Sequence, residues 1–466
     1  MQVNGAQCGE RREVGTSKVR PSASMRCRLT STLTPRPKVV LLVATVCLAL
    51  TCPTPAEAAD VAAAIPGGNL QHHDGLVSSL YDEATFTGHL RTFLYDQTST
   101  TQGDPAAWAI GGWIGYESGW IGEVLKFGAI GYTSQPLWAP ANRSGSLLLS
   151  NDQQGFTVLG QAYAVLKFSE QTATFYRQLV SQPEVNAHDN LMVPNSFEGI
   201  TLQGGSGPLS YFGGVLSQMK TRNSGAFQNL GKAAGVRSTD LPMWLGGIKL
   251  SRDESAAARA SFYVAPDLLA SGYADGMWKT SLSRDVSLTL DGQFMYQGGV
   301  GDDLLTGCVC PTWVLGAQAT LSIDHLSFLG GFTQTGNGAD YQSPFGGWQG
   351  YTSMLVQNFN RAGEGALLAG ISYDFAGAGI EGLVLSVSAA FDVRTQDDDA
   401  AWQEVDIGAV YNLKHLNPDW KVLAPLLLRA NYGYVDLGAG NTLNQFQLIL
   451  DYEYRLHGDG REASSG

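Results

Sequence analysis

Residues Asn444–Tyr454 read NQFQLILDYEY, and the period of that stretch decides the fold. Phe446, Leu448, Leu450, Tyr452 and Tyr454 fall on one side, while Gln445, Gln447, Asp451 and Glu453 fall on the other. A helix repeats its faces every 3.6 residues and cannot use a period of two; a strand with two different faces does. The pattern recurs upstream. Val405, Ile407, Ala409, Tyr411 and Leu413 oppose Glu404, Asp406 and Asn412, and Leu288, Leu290, Phe294 and Tyr296 oppose Thr289, Asp291 and Gln293. Strands of about ten residues, apolar on one side and polar on the other, are what a membrane-spanning β-barrel needs.

Working outward, eighteen such stretches can be placed, from 86–95 to 444–456. The connections after odd-numbered strands are long (96–105, 135–155, 180–196, 221–242, 299–311, 335–363). Those after even-numbered strands are short (119–122, 169–171, 205–208, 252–256, 282–286). The expected fold is therefore all-β, an 18-stranded antiparallel transmembrane β-barrel with short periplasmic turns and long extracellular loops. Two places fit poorly. The junction near Pro266 breaks the alternation of loop lengths, and Pro425, inside the stretch 421–434, cannot donate to a ladder and predicts a bulge. Trp108, Tyr116, Trp120, Tyr132, Phe168, Tyr176, Tyr211, Trp244, Tyr452 and Tyr454 gather near strand ends, as aromatic girdles would.

The ends read differently. Val39–Leu50 is an apolar run preceded by Arg26, Arg28, Arg36 and Lys38 and followed by Ala56-Glu57-Ala58, so 1–58 reads as a signal peptide. The stretch before Met25 reads as an over-extended start. Residues 59–85 are expected as an N-terminal periplasmic segment, 86–456 as the barrel and 457–466 as a polar tail. The whole chain has 29 basic and 42 acidic residues, and removing 1–58 leaves an even more acidic protein. That argues against a nucleic-acid partner, which wants clustered Lys and Arg. Cys308 and Cys310 then remain, too few for a tetrahedral zinc site, and are read as loop thiols or a local disulfide. His72-His73-Asp74 lies before the first strand and reads as a solvated tail. No cofactor or metal is expected.

The segment Tyr176–Gly199, YRQLVSQPEVNAHDNLMVPNSFEG, resembles the "GRQ…P…N…D-x-R-M-x-P-x-x-FEG" stretch of OprD-type outer-membrane porins. Further pieces resemble the same family in order: LRTFLYD (Leu90–Asp96), WAIGGWIGYESGW (Trp108–Trp120), MKTRNSGAF (Met219–Phe227), YDFAGAGIEGL (Tyr373–Leu383) and NQFQLILDY (Asn444–Tyr452). The resemblance implies a channel for small solutes in the outer membrane of a Gram-negative bacterium, largely monomeric, with a trimer left open. It also implies that the third long loop, about 180–196, folds inward and narrows the lumen, and that arginines line the lumen. This chain departs from the pattern, with Leu191 and Gln447 where arginines are expected.

The residues expected at the constriction or in the lumen are Arg91, Arg177, Asn186, His188, Asp189, Asn195 and Arg429. Each has a plain structural alternative, since Asn and Asp also serve turns and Arg177 can pair with a wall carboxylate. Lys220 and Arg222 begin the fourth long loop and read equally as lining residues or as solvated rim charges. Asp291, Asp374, Glu404, Asp406, Asp451 and Glu453 read as lumen-facing, which predicts an acidic lumen weakly selective for cations. The expected partners are small polar solutes and outer-membrane lipid. An adhesin using its long loops is the alternative. A rim-active enzyme is weaker still, because the chain has neither a G-x-S-x-G elbow nor an H-E-x-x-H helix.

Overall fold

A computed structural model describes residues 75–305, 310–394, 401–416 and 424–458. The strands form one antiparallel sheet. They begin with β1 (Thr85–Ser99), β2 (Ala106–Glu117), β3 (Leu125–Trp138), β4 (Phe156–Phe168), β5 (Gln171–Gln178), β6 (Ser196–Ser206) and β7 (Leu209–Lys220). After β8 (Gln228–Asn229) come β9 (Met243–Arg252), β10 (Ala256–Ala265), β11 (Leu269–Ser283), β12 (Val286–Gly299), β13 (Thr312–Ile323) and β14 (Leu326–Thr335). The last are β15 (Gly365–Asp374), β16 (Leu383–Arg394), β17 (Gln403–Asn412), β18 (Leu426–Asp436) and β19 (Thr442–His457). The two-residue β8 is a spur on the end of β7, and β7 pairs directly with β9. The other eighteen make the wall. It closes because β1 pairs with both β2 and β19.

The period of two sorts side chains as the sequence predicts. Leu90, Ile114, Ile248, Phe262, Ile407 and Leu448 are exposed on the outer face, whereas His89, Arg91, Gln161, Gln293, Glu404 and Asp451 are buried on the inner one. Register carries each row across strands: Arg91 stands opposite Asp451 and Gly111, and Asp406 opposite Ser388 and Gly433. A band of exposed apolar residues running round the wall suits hydrocarbon rather than water. Among the described residues no helix is long and apolar enough to cross a membrane. Here strands do the crossing.

Several short turns on one rim close on residues with positive φ, Ser169, Gly207, Asp253 and Asp324, as tight hairpins require. On the other rim the break near Pro266 is real: β10 and β11 are joined by three residues, 266–268. The connection after β12 folds over this low spot, with Leu304 N donating to Asp267 O (2.9 Å), and Leu268 is buried beneath. Pro425 lies just before β18 rather than inside a strand, so the expected bulge is not needed. Lys421 lies outside the described residues, as do residues 1–74, Cys308 and the tail from 459. Tyr132 is not part of a girdle. It faces inward, 1 % exposed, and its hydroxyl accepts a hydrogen bond from Gln161 Nε2 (2.7 Å).

Candidate functional site

Two long connections leave the rim and line the inside of the wall. In 179–195, Val180 and Val185 pack with Phe197, Tyr263 and Phe345, a cluster centred on the inner faces of β7, β9 and β10. The buried Glu184 carboxylate accepts from Ser271 Oγ of β11 (2.8 and 2.9 Å) and from the Tyr341 hydroxyl. Burial pushes that carboxyl up from its ordinary value, against the pull of both hydroxyl donors. At the other end Leu191, Met192 and Val193 pack on Phe93, Tyr95, Ala107, Ala109, Tyr132 and Ile449, inward residues of β1, β2, β3 and β19. An irregular segment here must satisfy its own backbone, and the Asn and Pro residues supply those turns.

The second inner segment, 341–357, follows the opposite arc. The Tyr341 hydroxyl lies 2.7 Å from Ser271 Oγ. Gln342 exchanges two hydrogen bonds with Gln297 of β12 (2.8 and 2.9 Å), and Thr352 meets Thr333 of β14 (2.5 Å). Its tip reaches β17, where Leu355 N donates to Asp406 (2.8 Å) and Val356 N and Gln357 N donate to Glu404 (2.7 Å each). The two segments meet at Asn186. Its Oδ1 accepts from His188 N and Gly347 N (3.0 Å each), and its backbone N donates to Phe345 O (3.2 Å). Together they make an inner collar running along the wall from β1 through β11 to β17.

The structure brings some of the predicted residues together and sets others apart. Arg91, 4 % exposed, donates to Asp451 (2.5 Å), to Asp189 (2.9 Å) and to the Leu191 carbonyl, so it pins the collar to β1. Arg429 of β18 and His89 of β1 (2.9 Å) complete the set around Asp451. His188 has φ +43°, and burial, with Arg222 nearby, lowers its imidazole to about 4; it is neutral at pH 7. Asn195 is 4 % exposed, with its N donating to Ala187 O (2.7 Å); it braces the segment and contributes to the wall of the cleft beside His188 and Arg222. Arg177 is remote from this group. It pairs with Glu198 (2.7 Å) under Phe227, and register sets it opposite Ala162, off the inner row of Gln161 and Tyr163.

Two basic residues at the start of the fourth long loop also belong to the site. Lys220 has no exposed surface; its Nζ donates to Thr221 O (2.9 Å) and lies over the rings of Tyr132 and Phe156. Arg222 donates to Asn190, and burial lowers its guanidinium to about 10 while Asp189 pulls it up, so it stays charged. With His188, Thr221, Asn223, Ser343 and Leu147 it lines a cleft of about 180 Å³ above the collar. Glu184 and the whole arc 341–357 escape sequence reasoning. The one available signal was the length of 335–363, the longest connection in the chain.

The lumen is not acidic in the way alternation suggests. Asp451 is ringed by two guanidinium groups and an imidazole, Glu404 and Asp406 hold backbone amides, and Glu453 pairs with Arg455 (2.9 Å). Asp374 caps a short 3₁₀ turn, accepting from Ala376 N (2.9 Å). Lys249 and Arg259 stand opposite each other on the inner face, and Arg259 pairs with Asp275 (2.8 Å). Cys310 is disulfide-bonded. Among the described residues no group of His, Cys, Asp and Glu is placed to hold a metal ion.

The model of the outer-membrane porin family OprD matches residues 79–456. Solved structures share the architecture. Pseudomonas aeruginosa OpdK with vanillate superposes with a TM-score of 0.72 at 19 % identity, covering 81 % of this chain and all of that one. P. aeruginosa OccK9 (OpdG) gives 0.72 at 21 %, with the same coverage. Acinetobacter baumannii OccAB1 gives 0.70 at 18 %, covering 81 % of this chain and 98 % of its own. No curated protein matches the chain.

Proposed function

This chain belongs to the OprD family of outer-membrane porins, and from that premise we propose how its lumen sorts what passes. The family consists of channels, not enzymes, and this one serves substrate-selective diffusion of small molecules across the outer membrane of a Gram-negative bacterium. The collar of 179–195 and 341–357 is its narrowest part. Solutes are sorted there by width and by the neighbouring opposite charges of Asp189 and Arg222, since a channel selects through its lining and does no bond chemistry. The observation that carries this is the double attachment of 179–195, through Arg91 at one end and Ser271 at the other, which holds the segment inside the barrel.

The favoured solutes are small, polar and of low net charge. Of the carboxylates that suggested cation preference, all but Asp291 already have partners, so the pore is close to neutral in its preference. Closure of the wall and both collar segments within one chain supports a monomeric channel. The test is the reversal potential of the purified protein in a planar bilayer under a KCl gradient. A value near zero that moves toward cation preference in Arg222→Ala supports the proposal. A strong preference of either sign in the unaltered protein, indifferent to Arg222→Ala, overturns it. A folded barrel with no conductance would instead favour a loop-mediated adhesin.

A further inference from the structure

The tip of the second collar segment is held in an unusual way. Glu404 and Asp406 are two residues apart on β17, so both carboxylates project from the same inner face. Glu404 has no exposed surface. No ion pair to a cation reaches either group among the described residues, although two further buried carboxylates of the inner wall are paired, Asp451 with three basic neighbours and Asp392 with Arg361. What they have instead is three successive backbone amides, Leu355 N on Asp406 and Val356 N and Gln357 N on Glu404. These amides come from one turn, in which Met354 N donates to Gln357 O (2.9 Å). Successive N–H groups converging from a turn form a concavity for negative charge.

Two neighbouring acids removed from water are costly unless their charge is met. Among the described residues the three amides of this turn meet it, with the two carboxyl groups close enough to share a proton. No amide of the turn reaches Asp406 Oδ1. The wall beneath is shaped for the turn: Gly433 stands opposite Asp406, and a Cβ there would come 2.8 Å from Asp406 Oδ1 and 3.3 and 3.4 Å from the side chains of Leu355 and Val356. Val356 packs on the Val435 and Leu443 cluster. We propose that Glu404 and Asp406 form a clasp, and that segment 341–357 is a strap whose tip can dock in it or release, widening the lumen along β14–β17. Its other attachments, at Ser271, Gln297, Asn186 and Thr333, all precede the tip along the arc, so release at the tip leaves the strap tethered.

The proposal depends on the preceding one only for the effect on pore width, so two readouts keep them apart. Val356→Cys is introduced into the full-length refolded protein and its reaction rate with a maleimide is measured, alongside single-channel conductance. Docked, the thiol should react slowly. In Glu404→Gln/Asp406→Asn, which removes the negative charge and turns one of Glu404's two accepting oxygens into a donor facing a strap amide, the rate should rise at least tenfold, with larger or flickering conductance steps. Gly433→Ala, which leaves both acids in place, should do the same by crowding the turn. A barrel that labels fast but conducts unchanged sustains the clasp and sinks the collar as the narrowest part. Unchanged labelling in Gly433→Ala and in the double variant overturns the clasp. Should the double variant not fold, Gly433→Ala alone decides.

Discussion

The two collar segments line one lumen by opposite chemistry. Segment 179–195 brings an acid, Asp189, to a wall cation, Arg91, and buries a second acid, Glu184, against hydroxyl groups. Segment 341–357 brings backbone amides to wall acids. The lesson is that charges on the inner face of this barrel are first of all anchoring points for irregular chain. Only the remainder faces solute, which is why an inventory of lumen charges by alternation misjudges the field.

Removing the shared anchor of the first segment should have the largest effect. Asp451→Ala leaves Arg91, Arg429 and His89 around a missing anion, and breaking a buried pair of this kind costs about 3 kcal/mol or more. The urea midpoint of the refolded barrel should fall, and 179–195 should become open to protease. An unchanged midpoint would mean that water already compensates those charges. Smaller is the loss at the junction of the two segments. Glu184→Ala removes the acceptor shared by Ser271 and Tyr341, leaving one of the two hydroxyls short of a partner, and should cost about 1–3 kcal/mol. Tyr341→Phe should cost about 1 kcal/mol, because it removes one donor and leaves Glu184 its serine. Equal effects would argue that the tyrosine, not the acid, ties the segments.

A further effect, comparable to the loss at the junction, separates the segments by pH. The His188 imidazole is held at about 4 in the folded segment against 6.5 when free. Between those values the undocked segment binds a proton that the docked one refuses. Docking of 179–195 therefore weakens as pH falls from 6.5 toward 4, by at most about 1.4 kcal/mol per pH unit, and is constant above 6.5. Protease sensitivity of 179–195 should rise on going from pH 7 to pH 5 and lose that dependence in His188→Gln. Persistence of the pH step in the variant would assign it to another group.

How much of this the sequence could show follows from the range of each interaction. Strands were legible almost residue by residue, because period-two alternation is local; 156–168 and 209–220 coincide with β4 and β7. The inward position of 180–196 came from resemblance. Its anchors did not, since Arg91 and Asp451 stand 360 positions apart and Glu184 and Tyr341 157 apart. No local pattern reports such pairs. Arg177 stands apart for a related reason: its residue type suits a pore lining, but a nearby Glu198 claims it first. Arg222 was under-read because a basic residue after a strand usually faces water.

The central claim is that 179–195 narrows a conducting barrel. The most direct measurement is single-channel conductance in a planar bilayer for the full protein and for a variant lacking 183–194, both checked for folding. Discrete steps that grow by roughly two-fold or more on deletion are the predicted result, as pore width sets conductance. Steps of unchanged size would show that the narrowest part lies elsewhere and would contradict the account.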